Sequence, residues 1–276
     1  MAVPVLTYHS MRIGSADYRE NDHVALREDL RLVEALGWKI LPVSRLAALQ
    51  RAGRLEREQK TVALSFDDAP DWDWHDMDHP EQGMQRGFAG ILADFRGETG
   101  RVDVHATSFV IAGPDARREL DRTCMLGKGW WNDDWWRIAW TAGISIGNHS
   151  WDHNHATLDT TAQRNGIKGD FSVIDTYEEC DIEVRQAADY VDLVLGRPAC
   201  KLFAYPQGEC SAYLAEFYLP VHAARHRQVA AFTSAGEPVR DSCSPWRLPR
   251  FICGDHWKSP EGLEAILRDS QAGIRT

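Results

Sequence analysis

Apolar positions recur along the chain in two alternating patterns. Short apolar or β-branched runs at Val3–Tyr8, Lys39–Leu41, Thr61–Phe66, Ala106–Ile111, Ile144–Ile146, Leu202–Ala204, Val229–Phe232 and Arg247–Phe251 read as strands. Between them the spacing lengthens to helical periods. Leu26, Leu30 and Val33 mark a helix over Val24–Leu36 that Gly37 stops. Cys180, Val184, Ala187, Val191 and Leu195 share one face of a helix over Thr176–Leu195. Shorter helical stretches are predicted at Ser44–Leu49, Gly87–Phe95, Pro114–Leu120, from Ser211, and at Pro260–Arg268. Strands alternating with helices predict βα units around a parallel sheet, with chemistry at the carboxyl ends of the strands.

Length and composition narrow this picture. The 276 residues suit one α/β domain over 1–276, since single α/β barrels reach about 250 residues. An apolar fraction of 43% with 26% charged residues excludes disordered and fibrous classes. A formal net charge of −10 argues against nucleic acid and anionic lipid, because both need a basic face. No stretch approaches the roughly 20 apolar residues of a membrane span. The opening MAVPVLTYHS has neither the basic nor the apolar region of a signal peptide, so a cytoplasmic location is expected. None of the six cysteines forms C-x-x-C, which removes zinc-ribbon and thioredoxin readings. Reduced thiols are expected, with Cys243–Cys253 as the one pairing considered.

Three strand ends carry reactive groups. The first is Ser65-Phe66-Asp67-Asp68-Ala69-Pro70. Adjacent carboxylates repel unless a cation or hydrogen bonds compensate, and a solvated acidic turn before Pro70 is the plain alternative. On extended backbone they also face different ways, so one can hold a metal while the other faces a reacting water. The second is Gly147-Asn148-His149-Ser150-Trp151-Asp152-His153, whose histidines share a face if the segment turns helically. Eleven histidines in 276 residues give roughly 0.4 such pairs by chance, and the chain has three. His75/His79 lie in an acidic loop and His222/His226 on a helix face, so position after a strand singles out His149/His153. The third is Leu202-Phe203-Ala204-Tyr205-Pro206-Gln207-Gly208-Glu209, where Pro206 and Gly208 force a turn that can present backbone N–H groups.

In this order, and with the opening Leu6-Thr7-Tyr8-His9-Ser10, these segments resemble the polysaccharide deacetylase family with the NodB-homology domain, similar to carbohydrate esterase family 4. The resemblance covers Val3–Phe251. It implies an α/β fold, a distorted (β/α) barrel of about seven strands, with one divalent metal. Zinc comes first, and cobalt, nickel and iron are compatible with the same donors. Carried over by position, Asp67 becomes the general base and Asp68, His149 and His153 the metal ligands. A water on that metal is the nucleophile, and a backbone N–H near Gln207 helps hold the oxyanion.

Three departures from the family pattern matter. Ala69 replaces the glycine that usually follows the aspartates. Ala204 stands where many members carry an arginine aimed at the catalytic carboxylate, leaving Arg247 or Arg250 to supply that charge. The Leu-x-His motif that normally provides the general acid is not evident, so His256 and then His9 are the candidates. Eleven tryptophans outnumber the phenylalanines, and five fall within Trp130–Trp140. Trp136 and Trp140, four apart, read as core. Trp72, Trp74, Trp130 and Trp131, with Tyr205 and Arg250, are candidate substrate contacts, since indole faces stack on sugar rings.

The expected activity is removal of N-acetyl groups from an acetamido sugar, with a cytosolic precursor of a surface polysaccharide as one candidate. Two alternatives share the pattern. One is a related amidohydrolase opening a non-sugar C–N bond, and the other a glycan-binding module that has lost catalysis. The sugar, the acetyl position and the oligomeric state are not legible.

Overall fold

The computed structural model describes residues 2–272. Its main sheet contains β1 (Val5–Tyr8), β2 (Lys39–Ile40), β3 (Thr61–Asp68), β4 (Ala106–Val110), β5 (Ile144–Asn148), β6 (Leu202–Ala204), β7 (Ala230–Phe232) and β8 (Phe251–Ile252). Seven run parallel in the order β7-β6-β5-β4-β3-β1-β8, and β2 pairs with the start of β3. The expected strand Arg247–Phe251 is shorter and shifted because Pro249 has no N–H to donate. This segment hydrogen-bonds first to β7, through a Phe232–Leu248 bridge, and then to β1 through Phe251 and Ile252. It therefore joins the two edges of the sheet into a barrel.

Strand alternation decides which side chains enter that barrel. Val62, Leu64 and Phe66 of β3 face outward into the large core beneath the helices Asp22–Ala35, Phe88–Thr99 and Pro260–Ala272. Ala63 packs instead with Val5, Phe109, Ala204, Phe232 and Leu248. Ser65 and Asp67 follow Ala63 at the same period, so the last inward position of β3 is a carboxylate. That period is what aims Asp67 at the barrel axis.

Local chemistry fixes the helices. The Asn21 side chain caps the first by accepting from the His23 and Val24 N–H groups. Thr176 and Glu179 form a reciprocal capping box at the start of the long helix over 177–195, which contains a π-turn and ends at left-handed Gly196. All six cysteines are free, Cys243 and Cys253 included. No helix among the described residues is long and apolar enough to cross a membrane.

Two expectations about spacing are corrected here. Trp136 is core at 1% exposure, but Trp140 is 65% exposed. The segment Trp136–Ala142 is a 3₁₀ helix, in which residues four apart do not share a face. His149 and His153 do not ride a helix either. Ser150 and His153, at φ +75° and +66°, fold the segment into a turn.

Candidate active site

Asp67 enters the barrel and meets Arg250, and both are almost wholly buried. The guanidinium grips the carboxylate with two parallel bonds, Nη1–Oδ1 2.7 Å and Nη2–Oδ2 2.8 Å. Its orientation is fixed from behind by Ser65 Oγ, by the Thr233 carbonyl, both at 3.3 Å, and by the Phe109 ring. Burial pushes the Asp67 carboxyl up, but the Arg250 charge and its hydrogen bonds, with His149, outweigh this and hold it below the usual carboxylate range. Asp67 is thus a fixed anion. The charge missing at Ala204 arrives from the segment that closes the barrel.

Asp68, the next residue, turns away at φ +72° and faces His149 and His153. Its Oδ1 lies 3.5 Å from His149 Nε2 and 3.6 Å from His153 Nε2. One donor atom from each of the three falls within 4.8 Å of the others. Donors about 2.1 Å from one tetrahedral ion stand roughly 3.4 Å apart, so the spacing fits a divalent metal. The His149 tautomer supports the fit. His149 Nδ1–H donates to the Ala204 carbonyl at 2.9 Å, which leaves Nε2 with a free lone pair. His153 Nδ1 lies 3.2 Å from the Gln207 amide nitrogen. Burial, with His149 and His155 nearby, lowers the His153 pKa well below the ordinary imidazole value and favours the neutral, ligating form.

Backbone strain concentrates here. Six of the eight non-glycine residues with positive φ among the described residues are Asp68, Ala69, Ser150, His153, Asn154 and Gln207. Each costs energy that the surrounding packing must offset. Ala69, at φ +57°, occupies the position where the resemblance expects glycine. Gly208, at φ +74°, is compulsory: a Cβ there would collide with Ser234.

These groups share one cleft of about 230 Å³, walled by Asp67, Asp68, His149, His153, Gln207 and Arg250. That is smaller than the ~300–1,000 Å³ of pockets that enclose whole drug-sized ligands. His9 and Asp255 also reach this cleft, whereas His256 does not line it. His256 sits on an exposed turn with Nδ1 accepting from the Ile252 N–H at 2.8 Å, so geometry favours His9 of the two acid candidates.

The aromatic candidates lie elsewhere. Tyr205 is wholly buried and donates its hydroxyl to the Trp246 carbonyl at 2.7 Å, so its side chain is structural. Trp72 and Trp131 are buried, and Trp74 stacks on Trp135 with rings 7° from parallel. Trp130 is half-buried against Trp72. None of the four lines the cleft. His75 precedes the small hairpin Met77–His79/Gly83–Gln85 and His79 lies in it, and His226 is buried on the Leu219 carbonyl. The sequence reading missed Asp255 and Ser234, which also line the cleft; Asp255 lies three residues beyond the end of β8, in the loop to which the strand-end rule points.

The polysaccharide deacetylase family model matches residues 54–219. The chain belongs to the polysaccharide deacetylase family. As a member of it, the protein is a hydrolase of carbon–nitrogen bonds other than peptide bonds, an N-deacetylase. Its fold is similar to that of the Streptococcus pyogenes deacetylase PplD in complex with acetate, at 18% identity and TM-score 0.67, covering 97% of this chain and 98% of that one. It is also similar to IcaB from Ammonifex degensii, at 17% identity and TM-score 0.66, covering 98% and 97%. A de-N-acetylase from Aggregatibacter actinomycetemcomitans matches at 11% identity and TM-score 0.63, covering 96% and 100%. Curated proteins yield no match.

Proposed function

We propose that this deacetylase removes the acetyl group from an acetamido sugar, using a divalent ion held by Asp68, His149 and His153, with zinc as the first candidate. The observation that carries this reading is the meeting, in one cleft, of a metal-compatible triad with a buried carboxylate fixed by arginine. When bound, the ion supplies a Lewis acid that polarises a carbonyl and makes water more acidic.

The remaining work falls to the chain. Asp67, aimed by Arg250, takes the proton of the attacking water as a general base. Arg250 keeps that carboxylate ionised and stops it from swinging onto a ligand position. The backbone at Gln207, held in its left-handed turn beside Gly208, faces the developing oxyanion. His9 donates the proton that lets the amine depart, without which the C–N bond does not break. Its own backbone N–H is fixed to Asp22 Oδ2 at 2.7 Å, which holds the loop that bears it.

Acetate release from N-acetylated monosaccharides and oligosaccharides tests the activity, alongside metal content in wild type, His149→Ala and His153→Ala. The expected result is about one ion per chain, lost in both variants, with turnover that depends on it. A protein that holds its ion yet releases no acetate from any acetamido sugar would sink the substrate class. Retention of metal by both histidine variants would sink the site.

A further inference from the structure

The tryptophan-rich segment stays outside the cleft, yet it is bonded to the loop that carries a metal ligand. Trp131 Nε1–H donates to the Asp68 carbonyl at 3.0 Å. Either side of that bond, the segment clasps the same loop. Asp71 N–H donates to the Trp130 carbonyl at 2.9 Å, and the Asp71 carboxylate accepts from Asn132 N–H at 2.8 Å and from its amide at 2.6 Å. Trp72 packs edge-on against Trp130, and Trp74 stacks on Trp135.

The segment is itself anchored to the helix Pro114–Cys124. Asp121 accepts from the Gly129 and Trp130 N–H groups at 2.8 and 3.0 Å. Buried Arg117 donates to the Trp131 carbonyl at 3.2 Å and stands over the Trp136 ring. The chain of contacts therefore runs from a helix on the barrel wall, through Trp131, to the peptide that joins Asp68 to Ala69.

That peptide lies between two consecutive left-handed residues, neither of them glycine. L-residues resist this conformation because Cβ crowds the following carbonyl. Something outside the loop must hold it, and Trp131 bonds the carbonyl whose direction is set by the strained pair. We propose that Trp131 is a positioning residue for Asp68: its indole N–H holds the Asp68–Ala69 peptide in the turn that points the Asp68 carboxylate at His149 and His153. The proposal rests on the metal-site reading above. It assigns to the tryptophans a supporting role behind the site in place of sugar stacking.

The test is zinc affinity, measured by competition with a chelating dye at a temperature well below melting. Trp131→Phe keeps an aromatic, though smaller, side chain and deletes the donor. It is expected to weaken zinc binding about 10- to 100-fold, the range for lost outer partners of metal ligands. Ala69→Gly removes the steric cost of the left-handed turn, so adding it to Trp131→Phe restores most of that affinity. Asn132→Ala, at an exposed position, loosens the clasp without touching the core and weakens binding by a smaller factor. Wild-type affinity in Trp131→Phe would overturn the proposal and leave the metal site standing. A loss that Ala69→Gly does not repair would also overturn it. Failure of the wild type to bind any divalent ion would remove the metal reading and this role together.

Discussion

Asp67 and Asp73 lie six residues apart, both sealed from solvent, and their carboxyls are driven in opposite directions. Asp67 faces Arg250 inside the barrel and is held below the usual carboxylate range. Asp73, in the turn after β3, has only hydroxyls: Ser10 donates at 2.5 Å and Ser108 at 2.6 Å. Burial pushes its carboxyl up to about 7, only partly countered by those two bonds, with Asp68 adding repulsion and His9 a small opposing pull. Burial alone therefore does not set the charge of an acid. A fully charged, bidentate partner outweighs desolvation, and two neutral donors do not.

The strongest way to break this contrast is to make Asp67 resemble Asp73. Arg250→Met leaves a buried carboxylate without its cation and is expected to cost about 3–5 kcal/mol at neutral pH by chemical denaturation. The sign of the pH response should reverse as well. In the wild type the lowered Asp67 pKa contributes stability above the unfolded carboxylate value of roughly 4, lost as pH falls through the folded value. In the variant burial dominates, the folded pKa lies above the unfolded one, and stability rises as pH falls. An unchanged pH slope would show that Arg250 does not control Asp67.

Asp67→Asn removes the proposed base while keeping a polar side chain opposite Arg250. Acetate release is expected to drop about 10²- to 10⁴-fold, the usual weight of a general base, with zinc content unchanged. Loss of the metal along with activity would mean that Asp67 serves the ion and not the water.

How much of this was visible in the sequence follows from which forces are local. The βα alternation and the reactive strand ends were legible because periodicity and turn residues act over a few positions. Arg250 could be named only as one of two arginines, because its pairing with Asp67 spans 183 residues and depends on how the barrel closes around Pro249. The tryptophans could not be placed from the sequence for a related reason. Indole suits sugar and core equally, and the docking of 129–136 on the loop after β3 is a long-range contact that spacing does not reveal. The histidine pair was placed correctly after β5, but its turn was not foreseen, since left-handed non-glycine residues leave no compositional signal.

The smaller effects test the other half of the contrast. Because the Asp73 pKa is raised in the folded state, its favourable contribution is complete below roughly 4 and is lost as pH rises through about 7. Asp73→Asn should abolish that response, so that between pH 4 and 8 the wild type loses up to about 4 kcal/mol more than the variant. Equal slopes by thermal or chemical unfolding would show that Asp73 is ionised throughout, like Asp67. Ser108→Ala is the mildest change. It removes one of two donors that favour the ionised form, so it costs about 1–2 kcal/mol above pH 7 and little at pH 5, where the carboxyl is protonated. The transition should also move to higher pH. A cost that is the same at both pH values would mean that the lost hydroxyl mattered for packing and not for the charge of Asp73.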